Sequence, residues 1–109
     1  TLRYRRLSAS GSRGGWRSIG RGRDGPADWA TAPAIAYDPV NKAMRVLAGA
    51  SDPPGLIEQA IHDESRRWSM WAPLSSGAIT DQQPGAVTVN GDVNLVNSRS
   101  ASLQETFVK

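Results

Sequence analysis

A pattern comes round twice in this chain, about 50 residues apart. The first copy runs Trp16-Arg17-Ser18-Ile19-Gly20, Pro33-Ala34-Ile35-Ala36-Tyr37-Asp38, Ala43-Met44-Arg45-Val46-Leu47 and Leu56-Ile57-Glu58. The second runs Trp71-Ala72-Pro73-Leu74-Ser75, Pro84-Gly85-Ala86-Val87-Thr88-Val89, Asp92-Val93-Asn94-Leu95-Val96 and Leu103-Gln104-Glu105. A repeat of roughly 40–50 residues made of short extended segments is the signature of propeller blades. A single blade cannot bury its own faces, so each copy must stack on something.

Extended segments are expected at residues 2–5, 15–20, 34–37, 43–48, 56–62, 68–74, 86–89, 93–97 and 103–108. They group as two, four and three strands. Turn formers separate them, among them Asp38-Pro39-Val40-Asn41, Asp52-Pro53-Pro54-Gly55, Gly77, Asp81 and Asn90-Gly91-Asp92. Asn90-Gly91 is a two-residue hairpin signal. One stretch reads both ways. Leu56, Ile57, Ala60, Ile61 and Trp68 also fit helical spacing, with Asp52-Pro53 as a start. The repeat favours a strand, because the equivalent 103–108 stretch reads as β.

The expected architecture is therefore all-β, in propeller blades of four antiparallel strands. About two blades are encoded: residues 1–20 end one, 21–75 make a full one, and 76–109 make most of the next. Two blades do not close a ring, so other copies or other chains of the same propeller are expected to complete it. The hydrophobic fraction of 39% is low for a self-sufficient globule.

The chain has no cysteine, which excludes disulfides and thiolate metal sites. No apolar run approaches the length of a membrane span, and no leader pattern is visible. A start at Thr1 fits a piece of a longer protein as well as a whole one. The net charge of +3 is mild, but its distribution is not: Arg3, Arg5, Arg6, Arg13, Arg17, Arg21 and Arg23 all precede the first acid, Asp24.

Trp68-Ser69-Met70-Trp71-Ala72-Pro73-Leu74-Ser75-Ser76-Gly77, followed by Pro84-Gly85-Ala86-Val87 and Ser102-Leu103, resembles the repeat of multibladed bacterial propeller lectins. Met44-Arg45-Val46, Ile57-Glu58 and Trp68 are similar to elements of the fungal fucose-lectin propellers. That resemblance implies a non-enzymatic lectin binding a small sugar such as fucose in pockets between blades, with no cofactor. It places Arg45, Glu58 and Trp68 at a sugar site, with Glu105 as the second-repeat counterpart of Glu58. It also leans toward a secreted protein. Asn94 stands where the second repeat would carry the arginine, and no glutamate lies in the opening strand.

Each candidate has a plainer reading. Arg45 and Glu58 would also serve as a cross-strand pair, and the tryptophans as packing residues. Trp29, in a loop without apolar neighbours, is expected to be exposed and open to a ligand. The arginine-rich start would suit phosphates or sulfated glycans, or simply a solvated edge strand; nucleic acid is not the expected partner. The alternatives to a lectin are a structural or protein-interaction propeller fragment, a polyanion or nucleic-acid binder through the arginine-rich start, or a fragment of a propeller hydrolase. His62-Asp63-Glu64 reads as a surface turn, with no nucleophile at useful spacing. Gly20-Arg21-Gly22-Arg23-Asp24-Gly25 matches a dinucleotide fingerprint only in letters, since Pro26 and Pro33 leave no room for the helix it requires. No catalytic or metal-binding residue is assigned.

Overall fold

The computed structural model describes residues 2–19, 28–99 and 102–108, the side chains of 102–107 excepted. These residues form three antiparallel sheets and no helix. The first sheet pairs β1 (Arg3–Tyr4) with β2 (Arg17–Ser18). The second runs in chain order through β3 (Ala34–Asp38), β4 (Ala43–Gly49), β5 (Ile57–His62) and β6 (Ala72–Pro73). The third is β7 (Gly85–Val89), β8 (Asp92–Arg99) and β9 (Ser102–Val108). The two, four, three grouping is the one expected from the sequence, and no sheet closes on itself. The Gly20–Gly25 match lies outside the described residues.

The ambiguous stretch is a strand. β5 pairs with β4 from Met44↔His62 to Gly49↔Ile57. Strand geometry sends Ile57 and Ala60 to opposite faces, and each is buried in a different apolar cluster. A helix would have left the second edge of β4, the one away from β3, unpaired. Residues 68–74 are less regular than expected. Only Ala72–Pro73 pairs as a strand, with Gln59 and Glu58, while Trp68 makes a lone bridge to His62.

Turn chemistry sets the registers. Asn90 and Gly91 have φ of 51° and 85°, the left-handed pair that closes a two-residue hairpin between Val89 and Asp92. Between β3 and β4, Asp38 Oδ1 accepts the N–H groups of Val40 and Asn41 at 3.0 and 3.1 Å. That side chain winds the loop before Lys42, at φ 49°, delivers the chain into β4.

The second sheet has neighbours on both faces, the face toward the first sheet being covered only in part. Its Ala36, Leu47 and Ile57 meet Val93, Leu95 and Val108 of the third sheet. Its Val46 and Ala60, with Trp71, meet Leu2 and Ile19 beside the first sheet and Trp29 in the loop before β3. β7 lies alongside β3, where the Thr88 hydroxyl donates to the Tyr37 carbonyl. Hairpin registers make the second and third sheets superimposable by position: Ala43 answers to Asp92, Val46 to Leu95 and Leu47 to Val96. Val46 and Leu95 both face the preceding sheet. Leu47 faces the following sheet and is fully buried, whereas Val96 has no sheet beyond it among the described residues and is 40% exposed.

The connection from β6 to β7 crosses the start of β5. Ile57 N–H donates to Ala78 O at 2.9 Å, and Thr80 N–H to Gly55 O at 2.9 Å. Gly55 sits at φ +76°, and a Cβ there would lie 2.3 Å from the Thr80 carbonyl oxygen. Both backbone hand and space demand glycine. Gly55→Ala is therefore expected to destabilise the fold by at least about 1–3 kcal/mol, read as a lower urea midpoint. Gly77→Ala, left-handed at φ +69° but with no atom within 4 Å of the new Cβ, should cost less. Equal losses at the two positions would show that the approach to Thr80 is not what constrains Gly55.

Candidate ligand-binding site

A cleft of about 320 Å³ opens between the first and second sheets. Tyr4, Arg5, Arg6, Leu7 and Ile19 line one side, and Met44, Val46, His62 and Trp68 the other. Strand register explains the second wall. Met44 pairs with His62 and Val46 with Ala60, so these side chains share the face of β4 and β5 that looks toward the first sheet. Trp68 is held at the edge of β5 by two bonds: Ser69 N–H to Ile61 O at 2.7 Å, and Ile61 N–H to Ser69 Oγ at 2.8 Å.

Three aromatic rings form one corner of the cleft. The Trp68 ring centroid is 5.3 Å from that of Tyr4 in a T-shaped contact, and 4.8 Å from that of His62. Tyr4 and His62 are 6.2 Å apart. Trp68 Nε1 is buried and has no hydrogen-bond partner among the described residues. A neighbouring recess of about 220 Å³ shares Tyr4, Arg6 and His62 with the cleft and is completed by Gly14, Gly15, Arg17 and Arg66.

The three residues expected to share a sugar site are not brought together. Arg45 pairs with Ile61, and Glu58 with Ala48, so the two side chains leave the sheet on opposite faces. Arg45 looks toward the third sheet and is 7% exposed. Its Nε and Nη2 donate to Asp38 Oδ2 at 3.0 and 2.9 Å, and its Nη1 to Gln59 Oε1 at 2.9 Å. It is therefore bound up in a buried polar cluster rather than presented to a ligand. The expected cross-strand partner, Glu58, is replaced by Asp38. Glu58 shares a face with His62 but lies at the other end of β5, about 13 Å along the strand. Burial pushes its carboxyl above the ordinary range.

Trp68 alone of that trio lines the cleft. Trp29, expected to be exposed, is half-buried with its ring centroid 4.5 Å from that of Trp71. Trp71 is anchored in turn by donating from Nε1 to Ile19 O at 3.0 Å. The exposed tryptophan is Trp16, over which the Arg5 guanidinium lies at 5.0 Å. Glu105 pairs through its backbone with Val96, and its side chain lies outside the described residues. His62 is not in a surface turn: it ends β5 and walls the cleft. Asp63 does turn, accepting bonds from Ser65 and Arg67.

Tyr4, Arg6 and His62 were missed, although the repeat held a signal for the first two. Trp16 matches Trp71, and β2 matches β6. The pairings Tyr4↔Arg17 and Gln59↔Ala72 then place Tyr4 where the next sheet has Gln59, which faces the following sheet. Two residues on, Arg6 falls on the same side. Comparison with protein-family models, curated proteins and solved structures finds no match to this chain.

The Arg45 cluster has a pH consequence. Burial alone would raise the Asp38 carboxyl, but bonds from the Asn41 side chain and backbone and from Arg45 outweigh it and hold the pKa at about 2, below the ordinary 3.8. A depressed acid stabilises the fold fully above its unfolded pKa and loses that contribution as pH falls through the folded one. Asp38→Asn is expected to cost about 3–5 kcal/mol near neutral pH, because Arg45 stays buried without its counter-charge. The gap in melting temperature between wild type and D38N should narrow as pH falls from about 4 toward about 2. A gap independent of pH would show that the loss comes from hydrogen bonding alone.

Proposed function

We propose that this chain is a non-catalytic carbohydrate-binding module, its sheets stacked as blades of a β-propeller, with a small saccharide seated between the first and second. The aromatic corner of Tyr4, His62 and Trp68, open beside arginine side chains, carries this reading. Saccharides present a C–H face that suits aromatic rings and vicinal hydroxyls that suit planar donors. The cleft is of a size for one or two sugar units, within the range of ordinary small-ligand pockets. Glycoside hydrolysis calls for a pair of carboxylates flanking the bond, and none of the described residues lining the cleft is an acid.

Stacking as blades is supported by the positional equivalence of the second and third sheets. It is also supported by what lies bare at each end. Ile35 and Tyr37 are 56% and 53% exposed on the face toward the first sheet. Val87 and Val96 are 53% and 40% exposed on the outer face of the third sheet. These are the positions that a further sheet would cover. The two faces differ, so a second copy meets the first head to tail, and such contacts close into a ring when the rotation allows.

Two experiments test the proposal. Trp68→Ala is expected to weaken saccharide binding in calorimetry by about 1–3 kcal/mol with the β-type far-UV spectrum unchanged, while Glu58→Gln leaves affinity intact. A Glu58→Gln loss equal to that of Trp68→Ala would put the site elsewhere. For assembly, light scattering should report an oligomer for the wild type. Tyr37→Asp and Val87→Asp should each block one end, and a mixture of the two variants should form a one-to-one complex. A folded wild-type monomer at micromolar concentration would refute stacking between copies.

A further inference from the structure

We infer that the saccharide in the cleft is an acidic one, its ring against Tyr4, His62 and Trp68 and its anionic group in the recess lined by Arg6, Arg17 and Arg66. This rests on the carbohydrate reading above and narrows it to a sugar bearing a carboxylate or a sulfate.

The recess and the cleft adjoin, sharing Tyr4, Arg6 and His62 in their walls, so a ligand lying across these three residues would touch both. Three guanidinium side chains and an imidazole border the recess, and no acid is among the described residues that line it. None of Arg6, Arg17 and Arg66 forms an ion pair among the described residues, where the two ion pairs are Lys42–Glu64 and Arg45–Asp38. Arg5, by contrast, is occupied: its Nε donates to Gly14 O at 3.3 Å and its guanidinium lies over Trp16. Like charges gathered at one recess repel, and an anion relieves that repulsion while accepting planar, paired bonds from the guanidiniums.

Backbone geometry holds this arrangement in place. Arg66 has a left-handed φ of 64°, which is uncommon for a residue of its kind. The turn that holds it is closed by Arg66 N–H to Asp63 O at 3.0 Å and Asp63 N–H to Arg67 O at 3.2 Å. The Asp63 carboxylate is engaged by Ser65 and by the Arg67 N–H, and hydrogen bonding from Ser65 lowers its pKa. On the other side, Gly14 N–H donates to Arg6 O at 2.9 Å, setting Arg6 beside the two glycines. Gly14 and Gly15 leave that wall bare of side chains, and a Cβ at Gly15 would meet nothing within 4 Å. Tyr4 and Arg17 are register partners, so both project toward the second sheet. A volume of about 220 Å³ leaves room for an anionic substituent with water around it. A nucleic acid asks instead for an extended basic track.

The test is calorimetric titration of the full chain with four probes at one ionic strength: a hyaluronan oligosaccharide (carboxylate only), a heparin-derived oligosaccharide (carboxylate and sulfate), a neutral dextran oligosaccharide, and a single-stranded DNA of matched charge. At least one acidic saccharide is expected to bind about tenfold or more tighter than the neutral one. Preference between the first two probes distinguishes carboxylate from sulfate. Arg17→Gln and Arg66→Asn, the latter chosen because asparagine tolerates the left-handed backbone, should remove that advantage while leaving neutral binding and the melting temperature unchanged. Equal binding of acidic and neutral saccharides, unaffected by the two variants, overturns the acidic assignment and leaves the carbohydrate reading standing. Absence of binding to every saccharide overturns both. DNA bound more tightly than the acidic saccharides, with loss in both variants, overturns the assignment in favour of a nucleic-acid surface.

Discussion

The second sheet has to be buried on both faces, and the rest of the structure follows from that requirement. Val46 and Leu47 are neighbours in β4, so they point to opposite sides, and they are 3% and 0% exposed. One sheet cannot satisfy both. The third sheet covers Leu47, and the segments around β1 and β2 cover Val46. Removing either neighbour would return an apolar face to water, at about 25 cal/mol for each Å² uncovered. The three sheets are thus parts of one stack rather than independent units.

The two spaces between sheets are built at equivalent positions and filled differently. Between the second and third sheets, Gln59 faces the gap and helps to hold Arg45, with Val93, Leu95 and Val108 opposite. Between the first and second, Tyr4 takes the place of Gln59, and Met44, Val46 and His62 stand opposite. Among the described residues no counterpart of Arg45 fills that gap, and a cleft remains. A closed gap supplies stability, whereas an open one with aromatic walls is where a ligand can be held. Arg45 belongs to the first kind. Its charge is tolerated inside because Asp38 and Gln59 take its donors.

Much of the fold was legible because its determinants are local. Strand alternation, the Asn90-Gly91 turn and the Asp38 loop act within a few residues, and the twofold repeat gives the grouping of strands. The segment at Leu56 was ambiguous in spacing alone, because Ile57, Ala60 and Ile61 satisfy both periods. The neighbouring strand β4 decided it. Trp29 was misjudged for the related reason that its apolar neighbour, Trp71, is remote in sequence.

The site was less legible. Neither the face nor the partner of Arg45 and Glu58 could be read from residue type and spacing. Arg45 and Glu58 differ by an odd number of register steps, and a single step moves a side chain through the sheet. The sequence by itself determined an all-β chain of repeated antiparallel strands whose faces demand neighbours. That much follows from local backbone preference and hydrophobic alternation. Only the tertiary structure decided that Arg45 is spent on Asp38 and that Tyr4, Arg6, His62 and Trp68 meet in one cleft. Those relations depend on which sheets face each other across a gap, and contacts across a gap leave no mark in the local pattern of either strand.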